Sequence, residues 1–330
     1  MDISKFKKIL IIRLSSLGDV LLTTPLIRSL KRTYPRLEIH FLTKPNYADV
    51  WKDNIYISKF FILESKENLD FLIEKLDDER YDLIVDLQNN PRSTSIRKKL
   101  KVKSVSFNKR DFDKLLLVKL KINKLRNAPP IPVRYAEAIP EIKLDDEGLD
   151  LFTDKKPSFD FNQNQKFVGF IPGARHFTKR YPKGYFIELG NILNENGFEI
   201  LVFGGKDDKE LCSEISQNIK NSTNLSNDDD ILQTAADMKM CKAIFCNDSG
   251  LMHAACAVKT PVLVFFGSSV KEFGFVPYKN RSIIFENNSL NCRPCSHVGR
   301  AHCPLKHFKC MMEIKPRYAF EESLNILNTQ

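Results

Sequence analysis

Three short stretches of this chain combine residue types that can hold and move charge. In the first, the apolar run 9–12 feeds Arg13-Leu14-Ser15-Ser16-Leu17-Gly18-Asp19. A turn of small residues around Gly18 lets a ligand approach the backbone. Asp19 falls where a helix pattern begins, so it can serve as a general base or simply cap the helix. In the second, the run 167–171 leads into Pro172-Gly173-Ala174-Arg175-His176-Phe177-Thr178-Lys179-Arg180-Tyr181-Pro182. Three cations and a hydroxyl lie there between a strand end and the next helix, a place that suits an anion; an exposed basic loop is the plainer alternative. The third is Cys246-Asn247-Asp248-Ser249-Gly250-Leu251-Met252-His253. Backbone amides of Ser249, Gly250 and Leu251 would point out of a helix N-terminus, which carries about half a positive charge and suits a phosphate. Singly, Asp248 reads as a cap and His253 as a core histidine, but the combination is more specific than its parts.

The elements that must position these stretches are legible from periodicity. Strand-like runs fall at 8–13, 38–43 and 82–87, with weaker ones at 55–61 and 102–107, and helical patterns at 20–33, 68–79 and 112–125. The second half offers strands at 167–171, 199–203, 243–246, 261–266 and 282–285, and helices at 185–195, 209–220, 231–238 and 251–258. Strand and helix in alternation mean a parallel sheet covered on both faces, an α/β fold. A length of 330 residues calls for two domains. The polar stretches 145–148 and 155–165 are the best linker. Ligands in such sheets sit at the carboxyl ends of the strands. The dinucleotide and P-loop glycine fingerprints are absent, as are H-E-x-x-H and G-x-S-x-G.

Composition narrows the partners. Hydrophobic residues make up 42%, a globular share, and no apolar run nears the length of a membrane span. The start lacks the long apolar core of a signal peptide, so a soluble, cytoplasmic protein is expected. The net charge of +10 is concentrated: residues 92–126 hold thirteen Lys or Arg against Asp111 and Asp113 alone. Such a patch suits nucleic acid, a membrane surface or a phosphorylated substrate, or is a solvated face. Against nucleic acid, the stretch has only Phe107 and Phe112 as aromatics and no recognition motif. In the tail, Cys292 and Cys295 have metal-ligand spacing, and Cys303 and Cys310 could complete four sulfurs. The second pair lacks that spacing, and reduced cysteines packing a loop-rich tail are the expectation, with no metal.

Read together, the three stretches resemble glycosyltransferase family 9, the bacterial heptosyltransferases of the lipopolysaccharide inner core. The segments that carry the resemblance are residues 13–19, Thr178-Lys179-Arg180-Tyr181-Pro182 and Asn247-Asp248-Ser249-Gly250-Leu251-Met252-His253-Ala254-Ala255. The tail Cys303-Pro304-Leu305-Lys306-His307-Phe308-Lys309-Cys310 adds to it. The resemblance implies a GT-B architecture, two Rossmann-like doubly wound domains facing a cleft. Residues 1–160 would bind the acceptor and 161–330 the nucleotide sugar, with the tail free to pack back on the first domain. It implies Asp19 as general base, Lys179 on the donor phosphates, Ser249, Gly250, Leu251 and His253 as the diphosphate turn, and Asp248 beside the donor sugar. Asp208 or Glu210 would hold the ribose, with Asp208 favoured.

The implied reaction moves a sugar, heptose from ADP-heptose, to an anionic lipid-linked saccharide, with inversion. The basic segment then gains a meaning: Leu115, Val118, Ile122 and Leu125 recur at helical spacing among lysines, so a helix could rest on the inner leaflet of the membrane as a peripheral contact. No D-x-D pair lies in a suitable loop, and Asp228-Asp229-Asp230 reads as a polar helix start, so no metal or other cofactor beyond the donor is expected. A same-fold transferase using another sugar or acceptor, a basic nucleic-acid-binding protein and a non-catalytic sugar-nucleotide binder are the alternatives.

Overall fold

A strand that is apolar on both faces is stable only where both faces are covered, and the first strand shows this directly. Strand β1 (Lys8–Ile12) buries Ile9, Leu10, Ile11 and Ile12 completely. The computed structural model describes residues 2–65, 67–160 and 165–328; residues 161–164 of the expected linker lie outside the described residues. The chain divides into two units, one of residues up to Arg110 with Pro129–Phe152, the other of Asp111–Ala128 with Thr153 onward.

The first unit holds β1, α1 (Leu17–Leu21), α2 (Thr24–Thr33), β2 (Glu38–Thr43), β3 (Lys59–Ile62), α3 (Leu69–Asp78), β4 (Leu83–Asp86), α4 (Pro91–Leu100) and β5 (Ser104–Ser106). Its strands run parallel in the order β3-β2-β1-β4-β5. Helix α5 (Asp111–Leu120) belongs to the second unit, and α6 (Ile131–Ala136) returns to the first. One face of the sheet packs Leu10, Ile12, Leu42 and Ile84 against Leu72 and Leu76 of α3 and Ile96 and Leu100 of α4.

The second unit continues with β6 (Phe167–Ile171), α7 (Lys183–Glu195), β7 (Glu199–Val202), α8 (Lys209–Gln217), β8 (Ser222–Asn224), α9 (Ile231–Met238), β9 (Cys241–Asn247) and α10 (Gly250–Ala257). After these come β10 (Val262–Phe266), β11 (Ser282–Glu286), α11 (Lys309–Met312) and α12 (Pro316–Leu327). The strands, again all parallel, lie in the order β11-β10-β9-β6-β7-β8. Aromatics dominate the core: Tyr181 and Phe265 stack with centroids 3.8 Å apart, and Phe170, Phe186 and Phe245 surround them. In both sheets the chain builds outward from one central strand and then restarts on its other side, the doubly wound pattern.

Several sequence expectations are corrected here. The helix expected at 20–33 is two helices, because Pro25 in the first turn of α2 cannot continue α1. The stretch 145–148 is not a free linker. The fully buried Arg28 guanidinium bonds both carboxylate oxygens of Asp145 at 2.8 and 2.5 Å, the Gly148 carbonyl at 2.8 Å, and Asp150. Arg32 adds Glu147. The units therefore part at 152/153 rather than 160/161, and beyond that point Ser158 is bonded to Asp237 through its N–H at 2.6 Å and its hydroxyl at 2.8 Å.

The basic segment departs furthest from expectation. Helix α5 stops at Leu120 because Lys121 takes a left-handed φ of 59°. Leu117 of the helix and Leu125 beyond its end pack against Phe273, with Val118 partly buried beside them, while Leu115 and Ile122 are exposed. The lysines from Lys114 to Lys124 thus sit on the second unit, not the first. In the tail, Ala319, Phe320, Ile326 and Leu327 of α12 complete the core of the second unit.

Candidate active site

In the first unit the strand order reverses between β1 and β4, and the carboxyl ends of these two strands flank the crevice where such sheets bind ligands. Residues 13–19 leave β1 at that point. Their path is fixed by β4's continuation: Gln88 Oε1 accepts the N–H groups of Leu14 and Ser15 at 2.9 and 3.2 Å. Asp86 Oδ1 in turn accepts from the N–H of Gln88 and Asn89 at 3.0 and 2.7 Å, and Arg97 holds the other carboxylate oxygen at 2.9 Å.

Asp19 stands at the third position of α1. Its Oδ2 accepts from the N–H and hydroxyl of Ser16 at 3.1 and 2.8 Å, so the capping role is real. Its Oδ1 meets the Arg13 guanidinium at 2.5 Å and the Tyr135 hydroxyl at 3.3 Å. Burial alone would raise this carboxyl, but the charge of Arg13 and the Ser16 hydrogen bonds outweigh it and hold Asp19 below the ordinary range. Asp19 is therefore an anchored carboxylate at the ligand edge. Arg13 is itself anchored, donating to the Ser15 and Leu87 carbonyls at 2.9 and 2.5 Å and lying over the Tyr135 ring. Neither Arg13 nor Tyr135 has a role in the sequence reading. A buried arginine six residues before the acid was a readable signal; Tyr135, on α6, was not.

In the second unit the order reverses between β6 and β9. Asn247, the last residue of β9, is fully buried and ties the two strand ends together: its amide donates to the Pro172 carbonyl at 2.7 Å and accepts from the Tyr181 N–H at 2.8 Å. That fixes the loop bearing Lys179 beside the start of α10. Lys179 Nζ lies 2.8 Å from Asp248 Oδ2, which also accepts from the Ser269 hydroxyl at 2.6 Å. Ser249 is the N-cap of α10, and its buried hydroxyl has no partner among the described residues. Gly250, Leu251 and the buried His253 follow in the first turn.

Asp208 lies against Gly173 at the end of β6, so closely that a Cβ on Gly173 would sit 2.2 Å from its carboxylate. Burial pushes its carboxyl up, against the opposing charge of Arg180. Glu210, exposed on α8, lines a pocket with Pro172 and Arg180, so both acids stand near the end of β6, with Asp208 directly against Gly173. The triple aspartate is structural: Asp230 caps α9 through the Gln233 N–H at 3.0 Å, Asp229 accepts the Lys206 N–H at 3.0 Å, and Asp228 pairs with Lys209 at 2.8 Å. Lys179, Asp208, Asp248, Ser249, Gly250, Leu251 and His253 thus collect on one sheet edge of the second unit, and Asp19 on the corresponding edge of the first.

All eight cysteines are free thiols. Cys292, Cys295, Cys303 and Cys310 line one small cavity with His307, yet no group of three or more metal-ligating side chains is arranged to hold an ion among the described residues.

The model of glycosyltransferase family 9 (heptosyltransferase) matches residues 71–306. Over 169 residues the chain is 33% identical to lipooligosaccharide heptosyltransferase 2 of Campylobacter jejuni, covering 49% of this chain and 51% of that protein, so it spans about half that relative's length. It is 28% identical to lipooligosaccharide heptosyltransferase 2 of Haemophilus ducreyi over 77% of this chain and 81% of the other. The structure of the E. coli ADP-heptose lipopolysaccharide heptosyltransferase II shares the fold at a TM-score of 0.75 and 21% identity, over 97% of this chain and 98% of that one. The two Rossmann-like sheets are accordingly those of the GT-B class. With the family match running from α3 of the first unit to the cysteine-bearing tail of the second, the chain belongs to glycosyltransferase family 9.

Proposed function

We propose that the protein transfers heptose from ADP-heptose to a saccharide of the lipopolysaccharide inner core, with inversion at the sugar's anomeric carbon. The observation that carries this reading is the Lys179–Asp248 pair at the mouth of α10, 2.8 Å across, on the switch point of the second sheet. A nucleoside diphosphate placed there meets the helix N-terminus and a lysine that still has donors to give. The names of the heptosyltransferase relatives, and of the E. coli enzyme in particular, support the sugar and the nucleotide.

Asp19, already ionised, takes the proton of the acceptor hydroxyl as its oxygen bonds to the anomeric carbon. The bond from that carbon to the diphosphate oxygen breaks, and Lys179 with the amides of Ser249, Gly250 and Leu251 meets the charge left on the nucleotide. Asp248 steers the sugar and keeps Lys179 in place, His253 supports the turn, and Asp208 accepts from the ribose hydroxyls. The first unit binds the acceptor and the second the donor. No helix among the described residues is long and apolar enough to cross a membrane. In this reading the protein is cytoplasmic and meets its lipid-linked acceptor as a peripheral protein at the inner leaflet.

Thermal-shift titration with ADP, UDP, GDP and CMP tests the donor, since a ligand raises apparent stability by mass action. ADP is expected to give the largest shift; a clear preference for UDP or GDP overturns the heptose assignment. Lys179→Ala should weaken ADP binding by about 10- to 100-fold, the worth of one charge-assisted hydrogen bond, as read by calorimetric titration. Unchanged ADP affinity would remove Lys179 from the donor site.

A further inference from the structure

The stretch 112–124 displays an apolar surface that the second unit does not use. Phe112, Leu115, Leu120 and Ile122 are 66%, 54%, 63% and 48% exposed, four large apolar side chains within eleven residues. On α5, Phe112, Leu115 and Lys119 share the face opposite Leu117, the residue that docks the helix against Phe273. The anchoring is firm. Lys121 Nζ donates to the carbonyls of Pro294 at 2.7 Å and Cys292 at 3.2 Å, and Asn123 donates to Glu272 at 3.2 Å. From the last turn of the helix onward, Lys119-Leu120-Lys121-Ile122-Asn123-Lys124 is exposed at every position, largely basic and apolar by turns. Residues 111–126, all on this unit, carry five Lys or Arg and two acids. A soluble surface has no need of exposed Phe, Leu and Ile spaced among lysines, whereas a bilayer surface matches both: acyl chains for the apolar tips and acidic headgroups for the cations.

We propose that this patch inserts into an anionic phospholipid bilayer, with Phe112, Leu115, Leu120 and Ile122 reaching the acyl boundary and Lys119 and Lys124 pairing with headgroups. The inference rests on the peripheral reading above and names the surface responsible. It also places the attachment point on the donor-binding unit, where the sequence alone put it on the acceptor-binding one.

The test is co-sedimentation of the full chain with phosphatidylcholine vesicles, with and without phosphatidylglycerol. The wild type should bind the anionic vesicles. Lys119→Gln with Lys124→Gln should lower that affinity about tenfold at low salt and less at high salt, because exposed charges are screened. Leu115→Ser with Ile122→Ser should lower it by about tenfold or more at every salt concentration, because apolar insertion is not screened. Ile55→Ser, equally exposed on the other unit, should change nothing. ADP titration of each variant checks that the second unit is intact. If Leu115→Ser with Ile122→Ser binds like the wild type, the patch does not insert, although the peripheral reading stands. If the wild type ignores anionic vesicles, both fall. Binding only to vesicles that carry the lipid-linked acceptor, or a change of oligomeric state with vesicle binding unaltered, would likewise overturn the insertion and name the acceptor or a second copy as the occupant.

Discussion

Asp19→Asn is expected to lower turnover by about 10²–10⁴ while leaving the ADP affinity of the second unit unchanged. The amide keeps the shape of the carboxylate and can still accept from Ser16, so the cap and the fold survive. What it loses is the ability to take a proton and to balance Arg13, whose guanidinium lies 2.5 Å away. Steady-state rates on an inner-core acceptor, with calorimetric titration of ADP alongside, separate the two effects. Near-normal turnover would reduce Asp19 to its capping role. The pH dependence has a definite sign. Because Arg13 and Ser16 hold the carboxyl below its ordinary range, Asp19 stays ionised as the medium becomes weakly acidic. The rate should therefore not fall there on account of the base.

The second large effect is on stability. Arg28→Ala should destabilise the first unit by about 3 kcal/mol, the lower end of the cost of breaking a buried ion pair, because water reaches Asp145 and Asp150 more easily than it reaches Arg28. Arg32→Ala, whose pair with Glu147 is open to solvent, should shift the midpoint far less. Trp51 is the chain's one tryptophan and is buried against Phe41 in the first unit, so its fluorescence during urea unfolding reports that unit. Equal midpoints for Arg28→Ala and the wild type would show that residues 145–150 are held by other contacts. The Arg28 hydrogen bonds lower the Asp145 carboxyl, so the clamp is complete above the ordinary aspartate range and is lost as pH falls below it.

The legible parts of the fold are those where one interaction dominates. Strands β2, β6 and helix α9 have the bounds read from the sequence, because a parallel strand buried on both faces leaves a plain apolar run and α9, buried almost all round, is marked at its start by the Asp230 cap. The misses have local or distant causes. Helix α4 opens with Asn90-Pro91, a cap and a first-turn proline, and its Asn90 side chain accepts from the N–H groups of Arg92 and Ser93 at 3.0 Å. That signal was present but masked by a polar, basic helix. Helix α12 has a different character: it opens at Pro316 and buries Ala319, Phe320, Ile326 and Leu327 at helical spacing, a stripe that the sequence does display. The stripe Leu115, Val118, Ile122 and Leu125 holds only in part, since Val118 and Leu125 pack beside Phe273 and Leu115 and Ile122 do not. Periodicity says that a helix has an apolar face but not which neighbour takes it, and Phe273 selects Leu117 and Leu125.

For the site, residues of the three chemical stretches were visible because each sits where a strand passes into a turn or helix. Their supports act across the fold: Gln88 and Tyr135 lie outside those stretches, and Asn247, although inside the third, works through Pro172 and Tyr181. Only the topology brings Tyr135 to Asp19, and only the pairing of β6 with β9 brings Asn247 to Pro172.

The excursion of residues 111–128 also sets a schedule for synthesis. On the ribosome this segment emerges about 150 residues before Phe273. At ordinary rates of translation it waits on the order of ten seconds for its partner. Meanwhile the first sheet has all five of its strands, and Pro129–Phe152 can already close over α2 through Arg28. The nascent chain therefore carries a finished unit with an open loop, in which Leu117 and Leu125 are uncovered beside Phe112 and Leu120. For that interval the lysines between them are what keep the loop in water. A fragment beginning at Thr153 never receives the loop at all, and leaves Phe273 without Leu117 and Leu125.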